Sequence, residues 1–279
     1  MKFAICNETF LDWPFDRAFA FARECGYTGV EFAPFTLTEP SAHFHVDQVI
    51  PQRRREVRQQ AEDAGLEVIG LHWLLAKTEG FHLTSPDSSI RRATAEYLTK
   101  LAVLCRDLGG SIMVLGSPQQ RNLLPGVTHD VAMQHAADVL RGAMYACEQQ
   151  GVTVALEPLA PSEGDFLLTA QQGVALVEMV DSPFCRLHLD CKAMSTEAQP
   201  IEEVIRANKD YLIHFHANDA NLQGPGMGEV DFVPIFGALN DIDYSGWVSV
   251  EVFDYAPGVE RLVRESIEYI KRVTRRADS

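Results

Sequence analysis

Four side chains able to bind a cation or move a proton stand at the ends of four apolar runs in the second half of the chain. They are Glu157 after VTVAL, Asp190 after CRLHL, His216 after YLIHF and Glu251 after GWVSV. Each run is short, rich in Val, Leu and Ile, and bounded by turn residues, the pattern of a buried β-strand. One charged residue at a strand tip is ordinary, but four on four successive strands point to one shared site. Two Glu, one Asp and one His form a hard, mostly oxygen ligand set. It suits one divalent ion such as Mn2+, Mg2+ or Co2+, with Zn2+ a further option. The plainer alternative is four unrelated strand caps, each satisfied by backbone or by Lys and Arg.

Other residues could serve a substrate. Glu31 ends the second strand and either binds substrate or pairs with a cation at the rim. His72 ends the third strand and is followed by Trp73. Trp13 and Trp73 either form an apolar wall against a sugar or pack in the core. Arg121, in SPQQR, offers a planar fork for a phosphate or carboxylate, or is a surface arginine. His188 and His214 precede Asp190 and His216 by two residues, so they share the inward face one level deeper. They are packed core histidines, unless one of them, His188 included, orients a ligand or substrate group. Cys6 and Cys191 fall near the strand ends without the His partner that nucleophilic catalysis needs. Lys192 reads as a structural residue in the loop after its strand.

The elements that must position these residues alternate along the whole chain. Residues 3–6, 29–32, 66–72 and 111–116 read as strands, followed by those at 152–156, 185–189, 212–216 and 247–251. Helices are expected from Pro14 to Cys25 (begun by Asp12), Gln52 to Ala64, Ser88 to Leu108 and His129 to Gln150. Shorter ones are expected near 170–180, 201–207, 233–239 and 258–274. Such alternation implies βα units around a parallel sheet, and eight units close a barrel. We therefore expect one α/β domain over residues 1–279, a (β/α)8 TIM barrel. A doubly wound sheet is the alternative, but no G-x-G-x-x-G follows strand one. In such barrels, catalytic residues come from the C-terminal ends of several strands, where the four candidates fall.

Composition fits. The 279 residues match the ~250 of a typical barrel. With 24 Lys+Arg against 39 Asp+Glu, the net charge of -15 argues against a nucleic-acid partner. The six cysteines form no C-x-x-C pair and suit a reducing compartment. No signal peptide and no membrane-length apolar run is apparent, so a soluble cytoplasmic protein is expected. The oligomeric state stays open, a homo-oligomer included.

Seven segments carry a family resemblance: GVEFAPFT (29–36), GLHWLL (70–75), GSPQQRN (116–122), ALEPLAPSEGDFLLT (155–169), HLDCKAM (188–194), HFHANDANLQGPGMGEVDF (214–232) and YSGWVSVEVFDY (244–255). In order, they resemble the xylose isomerase-like TIM barrels, in the branch of sugar-phosphate isomerases and epimerases that includes ketose 3-epimerases and hydroxypyruvate isomerase. The resemblance implies that Glu157, Asp190, His216 and Glu251 are the metal ligands. It implies that Glu163, six positions after the first ligand, holds substrate hydroxyls; a solvated loop acid is the alternative. The chain departs from the epimerases at Ala193, where they carry His, and at Leu222, where they carry Arg. Both departures weigh against a free ketohexose as substrate. PGMGEVDF looks more like the hydroxypyruvate isomerase side.

The chemistry so implied is proton transfer next to a carbonyl, in a small sugar, sugar phosphate or hydroxy-keto acid. An ion stabilises the enediolate, and Glu157 and Glu251 serve as base and acid. Return of the proton to the same carbon gives an epimerase, and return to the neighbouring carbon an aldose-ketose isomerase. Loss of a β-hydroxyl instead gives a dehydratase. A metallo-nuclease like the apurinic endonucleases is a third reading. It would need further His ligands and a basic face, whereas Glu229 and Asp231 stand where it would offer Asp and His.

Overall fold

The computed structural model describes residues 1–277. Eight parallel strands close a barrel in sequence order: β1 Lys2–Cys6, β2 Gly29–Phe32, β3 Glu67–Leu71, β4 Ile112–Leu115, β5 Thr153–Leu156, β6 Cys185–Asp190, β7 Leu212–Ala217 and β8 Trp247–Val250, with β8 paired to β1. Helices surround it: α1 Phe15–Cys25, α2 Pro51–Asp63, α3 Ser88–Leu108, α4 His129–Gln150, α5 Ala170–Val180, α6 Cys191–Met194, α7 Ile201–Ala207, α8 Phe232–Asp241 and α9 Val259–Ala277. This is the (β/α)8 architecture expected from the alternation.

Local chemistry sets the boundaries. The Asp87 carboxylate accepts from Ser89 N at 2.7 Å to start α3, and Gly109, at φ 101°, ends it. Thr128 and Thr169 cap α4 and α5 in the same way. α1 differs from expectation: it starts after Pro14, whose fixed φ suits helix entry, and Asp12 plays no capping part. The apolar positions of α9 (Leu262, Val263, Ile267, Ile270 and Val273) recur at helical spacing and are buried where the helix packs on α1 and α8.

Two layers of apolar contact result. The larger lies between strands and helices. The second, made of Ala4, Ile69, Ile112, Val114, Ala155 and Trp247, fills the barrel interior. On this plug rests a polar layer of fully buried side chains: Glu31, His188, His214, His216 and Ser249. A register shift fixes its geometry. Leu187 pairs with Leu212 but His188 pairs with His214, so Ile213 is an extra residue in β7. The shift sets His214 and His216 level with His188 and Asp190.

Candidate active site and cation centre

The C-terminal strand ends bring the candidate residues to one mouth. Asp190 is the last residue of β6 and His216 lies near the end of β7. Glu157 and Glu251 each follow the last residue of their strand. Gly116, just past β4, leaves room for one of them: a Cβ there would come within 1.6 Å of Glu157 Oε2.

Hydrogen bonds and ion pairs link the interior groups. His216 Nδ1 lies 3.0 Å from Glu251 Oε2, and its Nε2 lies 3.2 Å from Glu31 Oε2. His214 Nε2 shares the same Glu31 oxygen at 2.9 Å. His72 bridges two acids, with Nδ1 3.2 Å from Glu251 Oε1 and Nε2 2.9 Å from Glu8 Oε2. Asp190 accepts from Ala193 N at 2.8 Å and from Asn218 Nδ2 at 2.5 Å.

Charge is unevenly compensated. Burial works against ionising Glu251, but His216 and His72 overcome it and hold its carboxyl well below the usual range. Burial likewise disfavours charge on His216, yet Glu251 and Glu31 raise it well above the usual imidazole value. Glu157 has no such partner: burial, then Glu251 and Asp190, push it well up. Burial also raises Asp190, against the pull of Lys192. Glu157 and Asp190 are therefore a pair of buried carboxyls whose charge the protein under-compensates, a setting in which a cation gains most.

The donor set fits one. Ligand atoms of Glu157, His188, Asp190 and His216 all lie within 4.8 Å of one another, and all four residues are buried. Of the four expected ligands, three are thus gathered with His188. Glu251 stands beside them on His216 Nδ1 and belongs to a neighbouring group with Cys6, Glu8 and His72.

Above the acids opens a cavity of about 380 Å³ lined in part by Phe35, Trp73, Lys77, Glu157, Glu163 and Phe253. Trp73 lies against Phe35, at 5.9 Å, and Phe253, at 6.1 Å, and the three nearly parallel rings form an apolar wall. It holds a left-handed backbone, φ 51°, a conformation that costs a non-glycine residue about 1–3 kcal/mol and clusters at functional sites. Trp13 is elsewhere: it packs on Phe10, Phe21 and Arg17 beside α1.

The remaining candidates fall as follows. Glu163 is half-buried and bonded to Lys192 Nζ at 2.8 Å. Lys192 is not in a loop but in the short helix α6, its ammonium 3.8 Å above the Phe253 ring. Leu222 is exposed and lines a smaller cavity beside Lys192, while Ala193 is buried next to Asp190. Glu31 is fully buried among the histidines rather than presented to the cavity.

Arg121 is a correction. Its side chain is not that of a surface arginine, and its Nη2 has no hydrogen-bond partner among the described residues. It is buried, and Nη1 donates to the main-chain carbonyls of Leu115, at 3.2 Å, and Glu157, at 2.7 Å. Burial pushes it down to about 10, against the pull of Glu157 and Glu163.

Sequence reading missed two residues. Glu8 lies in the 3-10 turn Asn7–Phe10 after β1 and meets His72 only across the barrel. Asn218 follows His216 by two positions, a spacing that could have marked it as inward-facing.

A family model for xylose isomerase-like TIM barrels matches residues 19–273. A protein described as a probable ketose 3-epimerase from Synechocystis sp. is 24% identical over 270 residues, which cover 90% of this chain and 88% of that protein. A D-psicose 3-epimerase from Ruminiclostridium cellulolyticum is 30% identical over 174 residues, 62% of this chain and 59% of the relative. Among solved structures, a D-psicose 3-epimerase crystallised in the presence of D-fructose superposes with a TM-score of 0.84. It is 20% identical, covers 98% of this chain and 99% of its own, and shows the likeness of fold.

Proposed function

We propose that this chain, which belongs to the xylose isomerase-like TIM barrel family, is a divalent-metal-dependent isomerase that epimerises a small ketose or related α-hydroxy ketone next to its carbonyl. The observation that carries this reading is the gathering of Glu157, Asp190 and His216, with Glu251 on His216, beneath an aromatic-walled cavity. Glu157, Asp190, His216 and Glu251 hold the ion. When bound, it supplies Lewis-acid stabilisation of enediolate oxygens.

The chain's own residues do the rest. The Trp73 face orients the carbon skeleton, and the Glu163–Lys192 pair meets its hydroxyls. One of Glu157 and Glu251 takes the proton from the carbon next to the carbonyl, leaving its electron pair in the enediolate. The other returns a proton to the opposite face of that carbon, inverting it. The carboxylate that gained the first proton loses it to solvent, and the donor is recharged, which closes the cycle. Such positioned transfer contributes about 10²–10⁴-fold. His72 and His216 fix the Glu251 carboxylate, and Arg121 fixes the backbone of Glu157.

A nuclease is disfavoured by the net charge of -15 and by Asp231, whose carboxylate accepts from Val233 N at 3.0 Å to cap α8. Six free cysteines accord with a reducing, cytoplasmic setting. Among the described residues, no helix is long and apolar enough to cross a membrane.

The test is incubation of the metal-loaded protein in D2O with a panel of ketoses, ketose phosphates and hydroxy-keto acids. Deuterium should enter at the carbon next to the carbonyl, together with an inverted product. No exchange with any member, or a dehydrated product in its place, would overturn the reading.

A further inference from the structure

One buried group has no role in that reading. His188 is fully buried, and neither of its ring nitrogens has a hydrogen-bond partner among the described residues. Every other imidazole of the inner layer has a hydrogen-bond partner on at least one nitrogen, although His214 Nδ1 and His72 Nε2 have none. His214 has Glu31, His216 has Glu31 and Glu251, and His72 lies against Glu8 and Glu251. Leaving a buried donor or acceptor unmade costs about 1–3 kcal/mol for each group. The nearest acid to His188 is Glu157, with Oε1 4.0 Å from Nε2, too far for a hydrogen bond.

The position of His188 accounts for the gap. His188 and Asp190 are two residues apart on β6 and so share the inward face. The bulge at Ile213 sets His188 level with His214, directly below Asp190 and His216. Its ring centroid lies 4.2 Å from that of His216. Together with Glu157, Asp190 and His216 it presents ligand atoms no more than 4.8 Å apart. Two ligands on opposite sides of an ion at about 2.1 Å each are about 4.2 Å apart, so a slight contraction closes all four on one centre.

We infer that His188 is a direct ligand of the bound ion, adding a second imidazole to the donors contributed by Glu157, Asp190, His216 and Glu251. This rests on the metal-dependent reading above. A second nitrogen softens the donor set. It shifts preference from Mg2+ toward Co2+, Zn2+ and other ions that imidazole suits.

The test is electron–nuclear double resonance at nitrogen on the Mn2+-loaded protein. The wild type should show couplings from two imidazole nitrogens and His188→Leu from one, while Glu251→Gln should retain both. Titration with Zn2+ should show an affinity loss of at least about 100-fold in His188→Leu, beyond the 10–100-fold that removal of an outer partner typically costs. Mg2+ affinity should change far less. A single nitrogen coupling in the wild type overturns the inference, and that spectrum decides the matter even if the variant fails to fold. An unchanged spectrum and affinity in His188→Leu overturn it equally. Because nitrogen is counted without turnover, the two ideas fail separately. One nitrogen with normal epimerisation sinks this inference alone, and two nitrogens with no exchange on any substrate sink the isomerase reading alone.

Discussion

Arg121 Nη1 donates to the main-chain carbonyl of Glu157 at 2.7 Å, so a buried cation grips the backbone of an acid whose side chain it leaves free. Arg121→Met keeps much of the apolar packing but orphans that carbonyl, while the carbonyl of Leu115 still accepts from Glu157 N at 3.3 Å. The expected cost is about 2 kcal/mol, within the range for groups left unsatisfied. The melting temperature should fall by several degrees, and kcat should fall with little change in KM. Calorimetry and steady-state kinetics check both; a stable variant with a raised KM alone would instead indicate direct substrate contact.

Glu157→Gln and Glu251→Gln keep size and one ligand oxygen but cannot accept a proton at neutral pH. Each should lower turnover by about 10²–10⁴-fold with the barrel intact by circular dichroism. The residual chemistry should differ between them: one variant exchanges the α-proton from one epimer, the other only from the opposite epimer. Near-normal turnover in both would remove them from the proton-transfer step.

On the proposed reading, in which the ring supplies a face against which the substrate packs, Trp73→Leu should raise KM about tenfold, near the upper end of ~0.5–1.5 kcal/mol, and leave kcat within a few fold. The ratio of KM to kcat effects is the readout. A loss confined to kcat would place Trp73 in the chemistry rather than in binding.

If an ion compensates Glu157 and Asp190 as proposed, chelation should lower the melting temperature. An ion at 100 times its Kd adds about 2.7 kcal/mol. The sign with pH follows from the raised carboxyls of the metal-free protein. A group raised on folding stabilises the metal-free form below its unfolded value, and that stability is lost as pH rises through the folded value. The gap between loaded and chelated protein should therefore widen from acid toward neutral pH and narrow on acidification. Parallel thermal scans across that range would show a constant gap if these carboxylates were not the binding groups.

Much of this was readable because its causes are local. The helices α3, α4 and α5 run over the expected residues, and in the structure Asp87, Thr128 and Thr169 cap their starts. An acid or imidazole closing an apolar run marks a barrel mouth, so Glu157, Asp190, His216 and Glu251 stood out before any coordinates. Other features depend on partners distant in sequence. Glu8 meets His72 across the barrel, and Arg121 Nη1 reaches carbonyls that no local pattern predicts. The extra residue at Ile213 leaves no mark in the sequence YLIHFH, yet it decides which level the β7 histidines occupy.

The apolar plug of Ala4, Ile69, Ile112, Val114, Ala155 and Trp247 shuts the barrel behind the histidine layer. Traffic therefore has no through-route. Whatever enters at the C-terminal face must leave by that face, and on the proposed reading both epimers share it. Such a vessel runs toward its equilibrium mixture and stops there, so net flux through it depends on another protein drawing one epimer away.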